Sequence, residues 1–397
     1  MKNLRKGWVS ATALIVVGVL TAIQYGKVAP CLPDMMERLG ISVSDGGLLM
    51  SAFALSALVM AIVGGVLIDK FGVRSIGIAG LAVSLAGNIV GLFEVPVAVL
   101  MLTRVLEGIG YGVISVCGPV VISAWYSPEK RGIASGFWGS YVGAGVLVAM
   151  VSANPLLASG TWMNMWTFAL ITLGIAFLLF LLFVRMPPQD ERQDADVREE
   201  NSEASLLKGF LAPGAVLLGL MFLLLDFGLD SFNNFSVTYL NEYLGFEYGS
   251  ANLVSTIGCI TMILGSLVGA VVLAKSKNRG LVLLVTIVLS TACFFLQFRL
   301  EGDFMVMLVY QSIAAAIYGA LPAMFYALVP EVATSRKTVG AAVAVVILGQ
   351  NVGTLIGPTI VGMVVDASSW ATSATVMGVV SCISIVAAVI YMKKFQK

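Results

Sequence analysis

The sequence predicts an all-α polytopic membrane protein, with twelve transmembrane helices in two pseudo-symmetric six-helix halves. Three observations predict it. Only 11% of the 397 residues are charged and 59% are apolar, with a mean hydropathy of +0.97. A soluble domain carries roughly 25% charged residues, so a water-facing surface cannot be built from this composition. At about 20 residues per crossing, the apolar stretches supply twelve crossings, arranged as six, a polar break, then six.

The first six apolar segments lie near 8–32, 47–68, 75–93, 95–125, 133–153 and 162–184. The second six lie near 210–237, 251–274, 281–298, 304–329, 339–365 and 370–392. The first follows Lys2, Arg5 and Lys6 like a signal peptide, but its apolar run is too long and lacks a small-x-small cleavage site, so it reads as a retained helix. The one long polar stretch, Pro187 to Ser205, is charge-dense and free of aromatics, the composition of a solvated linker. The expected organisation is an N-terminal half over 1–186, a linker over 187–208 and a C-terminal half over 209–397.

Lysines and arginines set the orientation. With the N-terminus in the cytoplasm, 19 of the 23 basic residues fall in cytoplasmic loops and ends, leaving Arg38, Arg299, Lys27 and Arg104 elsewhere. This satisfies the positive-inside rule with both termini cytoplasmic, and an even number of crossings agrees. The expected location is the inner (cytoplasmic) membrane of the cell.

Several functions are excluded early. A net charge of +1 leaves no basic stripe for nucleic acid. There is no histidine, which removes imidazole relays, His-based metal sites and Ser-His-Asp triads. Cys31, Cys117, Cys259, Cys293 and Cys382 show no CxxC spacing and read as small core residues. No nucleophile and base pair, phosphate loop or metal cluster is present, so neither enzymatic activity nor a cofactor is expected.

The two halves match at nearly constant offset. Shifting the first by 205 residues places Leu39-Gly40 on Leu244-Gly245, Gly64 on Gly269, Lys70 on Lys275 and Arg74 on Arg279. A shift of 210 lays Gly139 and Gly143 on Gly349 and Gly353. They read as diverged copies of one unit, a plan that puts a binding site near the bilayer midplane at the repeat interface.

The loop after the second segment reads Gly64-Gly65-Val66-Leu67-Ile68-Asp69-Lys70-Phe71-Gly72-Val73-Arg74. Its glycines permit close helix approach and a tight turn, and Asp69 can face a helix N-terminus or basic neighbours such as Arg74 and Arg131. This stretch resembles the G-x-L-x-D-r-x-G-x-R signature of the major facilitator superfamily. Arg104-x-x-Glu107-Gly108-x-Gly110 is similar to that family's R-x-x-q-G segment, and Ser127 to Gly132 looks like its loop between the fourth and fifth helices. The resemblance covers essentially the whole chain. It implies a transporter working by alternating access, with Gly65, Asp69, Gly72, Arg74 and Arg131 as a cytoplasmic conformational latch. The second-half copy has Ala274 in place of Asp69, so the latch is expected on one side only.

A charge at a helix centre costs roughly 2.5 kcal/mol or more and is functional by default. The candidates are Lys27, Arg104, Glu107, Asp226 and Asp230. Arg104 lies about 13 Å below the outer end of its helix at the usual rise. Glu107, at i+3, either neutralises it structurally or takes part in coupling. Lys27 either snorkels to the outer boundary or, if the helix continues to Pro33, lies about two turns deep with Gln24 on its face; facing inward, it would favour an anionic substrate. Asp226 and Asp230 share one face of the seventh segment. Two carboxylates there repel when both are ionised, so at least one is a proton-carrier candidate, unless Asp230 sits at the outer interface with Asn233 and Asn234.

Further polar candidates for the path are Tyr25, Tyr111, Trp138, Tyr141, Tyr310, Gln311, Tyr318, Gln350 and Asn351. Gln350-Asn351 sits within Gly349-x3-Gly353-x3-Gly357-Pro358, a series that lets the eleventh helix pack closely and bend. The expected substrate-binding set is Lys27, Gln24, Arg104, Tyr141, Tyr310, Gln311, Gln350 and Asn351, and the proton-coupling set is Asp226, Asp230 and Glu107. Drug and proton antiporters of the family carry G-x-x-x-G-P-x-x-G-G in helix five. Here it reads Gly139-Ser140-Tyr141-Val142-Gly143-Ala144-Gly145 without the proline, so antiport is not supported. The expectation is a monomeric, proton-coupled symporter of a small organic solute, an anion by preference. Its partners are that small-molecule substrate, protons and the lipid bilayer. Alternatives are an exporter of amphipathic compounds, a lipid flippase or a non-transporting receptor.

Overall fold

The structure is a computed structural model describing residues 2–93, 95–126, 131–188, 209–333 and 338–395, with backbone alone at 2–6 and 131–133. Among the described residues, twelve helical spans are long and apolar enough to cross a membrane. The helices are α1 (Lys2–Gly26), α2 (Val28–Leu39), α3 (Val43–Phe71), α4 (Val73–Val90), α5 (Val97–Trp125), α6 (Arg131–Gly139), α7 (Tyr141–Ala158) and α8 (Trp162–Phe183). They continue with α9 (Pro213–Thr238), α10 (Tyr248–Lys275), α11 (Arg279–Leu296), α12 (Phe304–Val332), α13 (Val339–Ala367) and α14 (Trp370–Lys394).

Two boundaries differ from the sequence reading for local reasons. The first span runs past residue 32 to Leu39, with a turn at Lys27 between α1 and α2. Pro30 and Pro33 lack the amide hydrogens that would bond the carbonyls of Gly26 and Ala29, so the helix breaks at Lys27 and then resumes. The fifth segment divides at Ser140, whose hydroxyl donates to Phe137 O at 2.8 Å, into α6 and α7. The expected linker lies outside the described residues from 189 to 208.

The chain forms two compact units, Met1–Ile41 with Leu48–Glu199 and Ser42–Gly47 with Glu200–Lys397. In the first, α1 packs on α7 and α4 on α8, while Gly108 and Gly112 bring α5 against the backbone of α3 at Phe53 and Ala57. In the second, α9 packs on α13, α10 on α12 and α11 on α14. Counted by spans, each unit pairs first with fifth, second with fourth and third with sixth. The matched glycines agree in backbone: Gly40 has φ +63° and Gly245 has φ +72°, the left-handed region that glycine enters without a Cβ penalty.

The core of the first unit is apolar and aromatic, built from Leu14, Val17, Leu81, Ile114, Leu173 and Phe180 among others. In the second, Gly349, Gly353 and Gly357 lay α13 directly on α9, where a methyl group would meet the backbone of Gly219, Leu223 and Phe227. At the beginning of α3, the Asp366 carboxylate accepts from the amides of Val43 and Ser44 at 3.2 and 2.9 Å, which satisfies two of the donors a helix start leaves open.

Candidate functional site

Three charged side chains without solvent exposure meet in the first unit: Lys27, Arg104 and Glu107. The helix break puts Lys27 at the α1–α2 turn, and its Nζ donates to Glu107 Oε1 at 2.8 Å and to Gln24 Oε1 at 3.0 Å. Arg104 Nη1 donates to the other carboxylate oxygen, Glu107 Oε2, and to Gln24 O at 2.8 Å. Its Nε reaches Leu49 O at 3.3 Å. One turn of α5 separates Arg104 from Glu107, so both project from the same face. Lys27 therefore does not snorkel: it is fully buried and ion-paired.

Two cations share one carboxylate, leaving the cluster one formal positive charge. Polar and aromatic groups hold it. Lys27 Nζ lies 4.1 Å above the Trp166 ring and Arg104 Cζ 4.5 Å above Phe53, geometries in which a ring face attracts a cation. Gln24 Nε2 is anchored on Ala169 O at 2.7 Å, and Ser84 Oγ donates to Glu107 O at 3.0 Å. Asn88 closes the cluster against Gln24. With its amide turned over, Asn88 finds Trp166 O at 3.2 Å and Lys27 Nζ at 3.3 Å. Arg104 Nη2 is buried and has no hydrogen-bond partner. An uncompensated guanidinium nitrogen of this kind is costly and is a donor available to an added acceptor.

Beside this cluster runs an aromatic row. Phe53 and Tyr25 have ring centroids 5.9 Å apart, Tyr25 and Tyr111 6.2 Å, Tyr111 and Tyr141 6.1 Å, and Tyr141 and Trp138 4.4 Å. Tyr141 thus belongs to a packed strip that starts at the ring beneath Arg104.

In the second unit, Asp226 and Asp230 are both buried on α9. Thr354 Oγ1 donates to Asp226 Oδ2 at 2.6 Å, and Asn234 Nδ2 to Asp230 Oδ2 at 2.8 Å. Gly353 packs against the Asp226 Cβ, which is why α13 can bring Thr354 so near. Gln350 Oε1 accepts from Tyr326 Oη, and Asn351 is half-buried. Gln311 accepts from Ser236 at 3.4 Å while its Nε2 has no partner, and Tyr310 donates to Cys293 O at 2.7 Å. The binding candidates thus fall into two sets, Lys27, Gln24, Arg104 and Tyr141 in one unit and Tyr310, Gln311, Gln350 and Asn351 in the other.

Of the latch candidates, Gly72 has φ +83° and immediately precedes α4, and Arg74 donates to Leu181 O at 3.0 Å near the end of α8. Gly65 and Asp69 lie on the last turns of α3, Asp69 exposed. The Arg131 side chain is outside the described residues. Sequence reasoning missed several contributors, among them Phe53, Ser84, Asn88, Trp166, Thr354 and Tyr326. Asn88 carried a usable signal as a lone amide in an apolar segment, whereas a tryptophan or threonine in a span has no such mark.

A profile described as Major Facilitator Superfamily matches residues 14–296 and 218–395. The hexuronate transporter of Bacillus subtilis (strain 168) is 23% identical over 375 residues, spanning 89% of this chain and 86% of that one. The quinolone resistance protein NorA of Staphylococcus aureus is 26% identical over 243 residues, 61% of each chain. Among solved structures, a bacterial homologue of the human lysosomal transporter Spinster, inward-facing and unoccupied, superposes with TM-score 0.85 at 15% identity, covering 98% of this chain and 97% of that one. A variant of the nucleoside transporter NupG superposes with TM-score 0.75 at 16% identity, covering 97% and 100%. The family and these relatives are transporters rather than enzymes, and the chain belongs to the Major Facilitator Superfamily.

Proposed function

We propose that the protein is a proton-coupled symporter of a small carboxylate, with Lys27 and Arg104 holding the carboxylate and the Asp226–Asp230 pair carrying the proton. The observation that carries this reading is the pairing of two buried cations with the single carboxylate of Glu107. Two buried cations paired with one carboxylate keep donors for a second acceptor, the unpartnered Arg104 Nη2 among them, and charged donors of this kind favour an anionic one. The similarity to a hexuronate transporter over 89% of the chain supports a sugar acid as the solute. Asp226 and Asp230 share a helix face, and a proton on one relieves their repulsion. The reading sets both termini in the cytoplasm, supported by the 19 of 23 basic residues on that side. It takes Gly65, Asp69, Gly72, Arg74 and Arg131 as the cytoplasmic latch, supported by the left-handed turn at Gly72.

Reconstitution in proteoliposomes tests this. D-glucuronate is expected to accumulate when the outside is acidic, and D-glucose, which offers a similar ring without the carboxylate, is not. Equal uptake of both, or accumulation indifferent to the pH gradient, rejects the proposal. An exporter of amphipathic compounds is a second reading, favoured by the similarity to NorA and by the aromatic row. Extrusion of a hydrophobic dye with no glucuronate uptake would establish it.

A further inference from the structure

We infer that Glu107 is a tethered competitor: a carboxylate built into the chain that occupies the substrate's place on Lys27 and Arg104 and leaves, protonated, when a substrate carboxylate arrives. This rests on the proposed reading of the cluster as a carboxylate site and adds the event that loads it.

Glu107 holds the position a ligand carboxylate would take. Its two oxygens are divided between the two cations, Oε1 on Lys27 and Oε2 on Arg104, a bridging arrangement that any carboxylate of similar reach can reproduce. It sits on the same α5 turn as Arg104, so a rotamer change moves it without moving the cation. Arg104 Nη2 has no partner while Glu107 is in place. An incoming carboxylate that keeps both ion pairs and also reaches Nη2 therefore gains one charge-assisted hydrogen bond over the resident one.

The charges balance. The empty cluster holds Lys27, Arg104 and ionised Glu107 and carries one positive charge. After exchange it holds the two cations, the bound carboxylate and Glu107 as a neutral acid, and again carries one positive charge. The oxygen–cation contacts to Glu107 break, equivalent contacts to the substrate form, and one proton from solvent ends on a Glu107 oxygen. No redox partner or second reactant is needed. Substrate and proton enter together because a Glu107 carboxylate released from both cations, with no exposure to solvent, is left as an uncompensated buried charge.

The test is calorimetric titration of purified full-length protein with D-glucuronate in two buffers of different ionisation enthalpy, which counts protons taken up per ligand bound. The wild type is expected to take up about one proton at this step. Glu107→Gln is expected to bind about tenfold more tightly, since no resident carboxylate then competes, and to take up none. Gly174→Ala, on a part of α8 where an added methyl group meets nothing within 4 Å, is expected to keep the uptake. Because Glu107→Gln leaves two buried cations without their acid, Lys27→Gln with Glu107→Gln serves as a charge-matched second variant and should also bind without proton uptake. Unchanged proton uptake in either variant, or binding in Glu107→Gln weakened as much as in Arg104→Gln, overturns the inference and leaves the carboxylate site standing. Failure of the folded wild type to bind D-glucuronate or any other carboxylate offered overturns both.

Discussion

Lys27 Nζ lies 2.8 Å from Glu107 Oε1, a contact between residues eighty positions apart in which neither side chain has any solvent exposure. Breaking one partner out of a buried pair costs about 3–5 kcal/mol because the other charge is stranded. Glu107, however, retains Arg104. Lys27→Met should therefore lower stability by about 1–3 kcal/mol, less than Arg104→Met, which also forfeits the bonds to Gln24 O and Leu49 O. Denaturant unfolding in detergent, followed by tryptophan fluorescence, gives the order; an equal loss would show that Arg104's backbone contacts contribute nothing.

Asp226 takes a short hydrogen bond from Thr354 across the α9–α13 contact. Asp226→Asn should lower accumulation driven by a pH gradient, to what the Glu107 proton alone supports, while leaving exchange of labelled for unlabelled glucuronate intact. Thr354→Val should weaken the gradient effect without removing it. Full gradient-driven accumulation by Asp226→Asn would move the coupling role elsewhere.

The glycine stripe of α13 predicts a sharp local contrast. Gly353→Ala drives a methyl group to 2.6 Å from Leu223 O and 2.9 Å from the Asp226 Cβ, and overpacking of this kind costs about 1–3 kcal/mol. Gly174→Ala on α8 meets nothing within 4 Å and should be neutral or slightly stabilising. Melting temperatures of the two variants side by side check the difference.

Gly40 and Gly245 occupy equivalent places in the two units with φ of +63° and +72°, and neither faces a neighbouring atom within 4 Å. Replacement by alanine is then a backbone effect alone, about 1–2 kcal/mol at each site. The two losses should be similar and additive, as expected for distant positions. A large effect at one and none at the other would break the equivalence.

The spans were legible because each is written locally, as a run of apolar residues long enough to cross a bilayer. The turn glycines Gly40 and Gly245 were visible through their shared offset. Lys27 was not placed by pattern alone, since prolines at 30 and 33 allow either a stop or a break with continuation, and tertiary packing makes that choice. Its pairing with Glu107, the Thr354 bond to Asp226 and the Trp166 ring under Lys27 join distant segments, and no local periodicity encodes them. Arg104 and Glu107 were found because two charges one turn apart in an apolar helix demand an explanation.

The central claim is that the buried cations of the first unit recognise a carboxylate. Equilibrium binding of D-glucuronate and D-glucose to wild type and to Arg104→Gln, in the same buffer and at the same salt, tests it most directly. The account predicts that wild type binds the acid and not the neutral sugar, and that Arg104→Gln loses the acid by about a hundredfold, the worth of a charge-assisted contact of roughly 2.7 kcal/mol. Binding of both sugars alike, or an Arg104→Gln protein that is folded and binds the acid as wild type does, would contradict it.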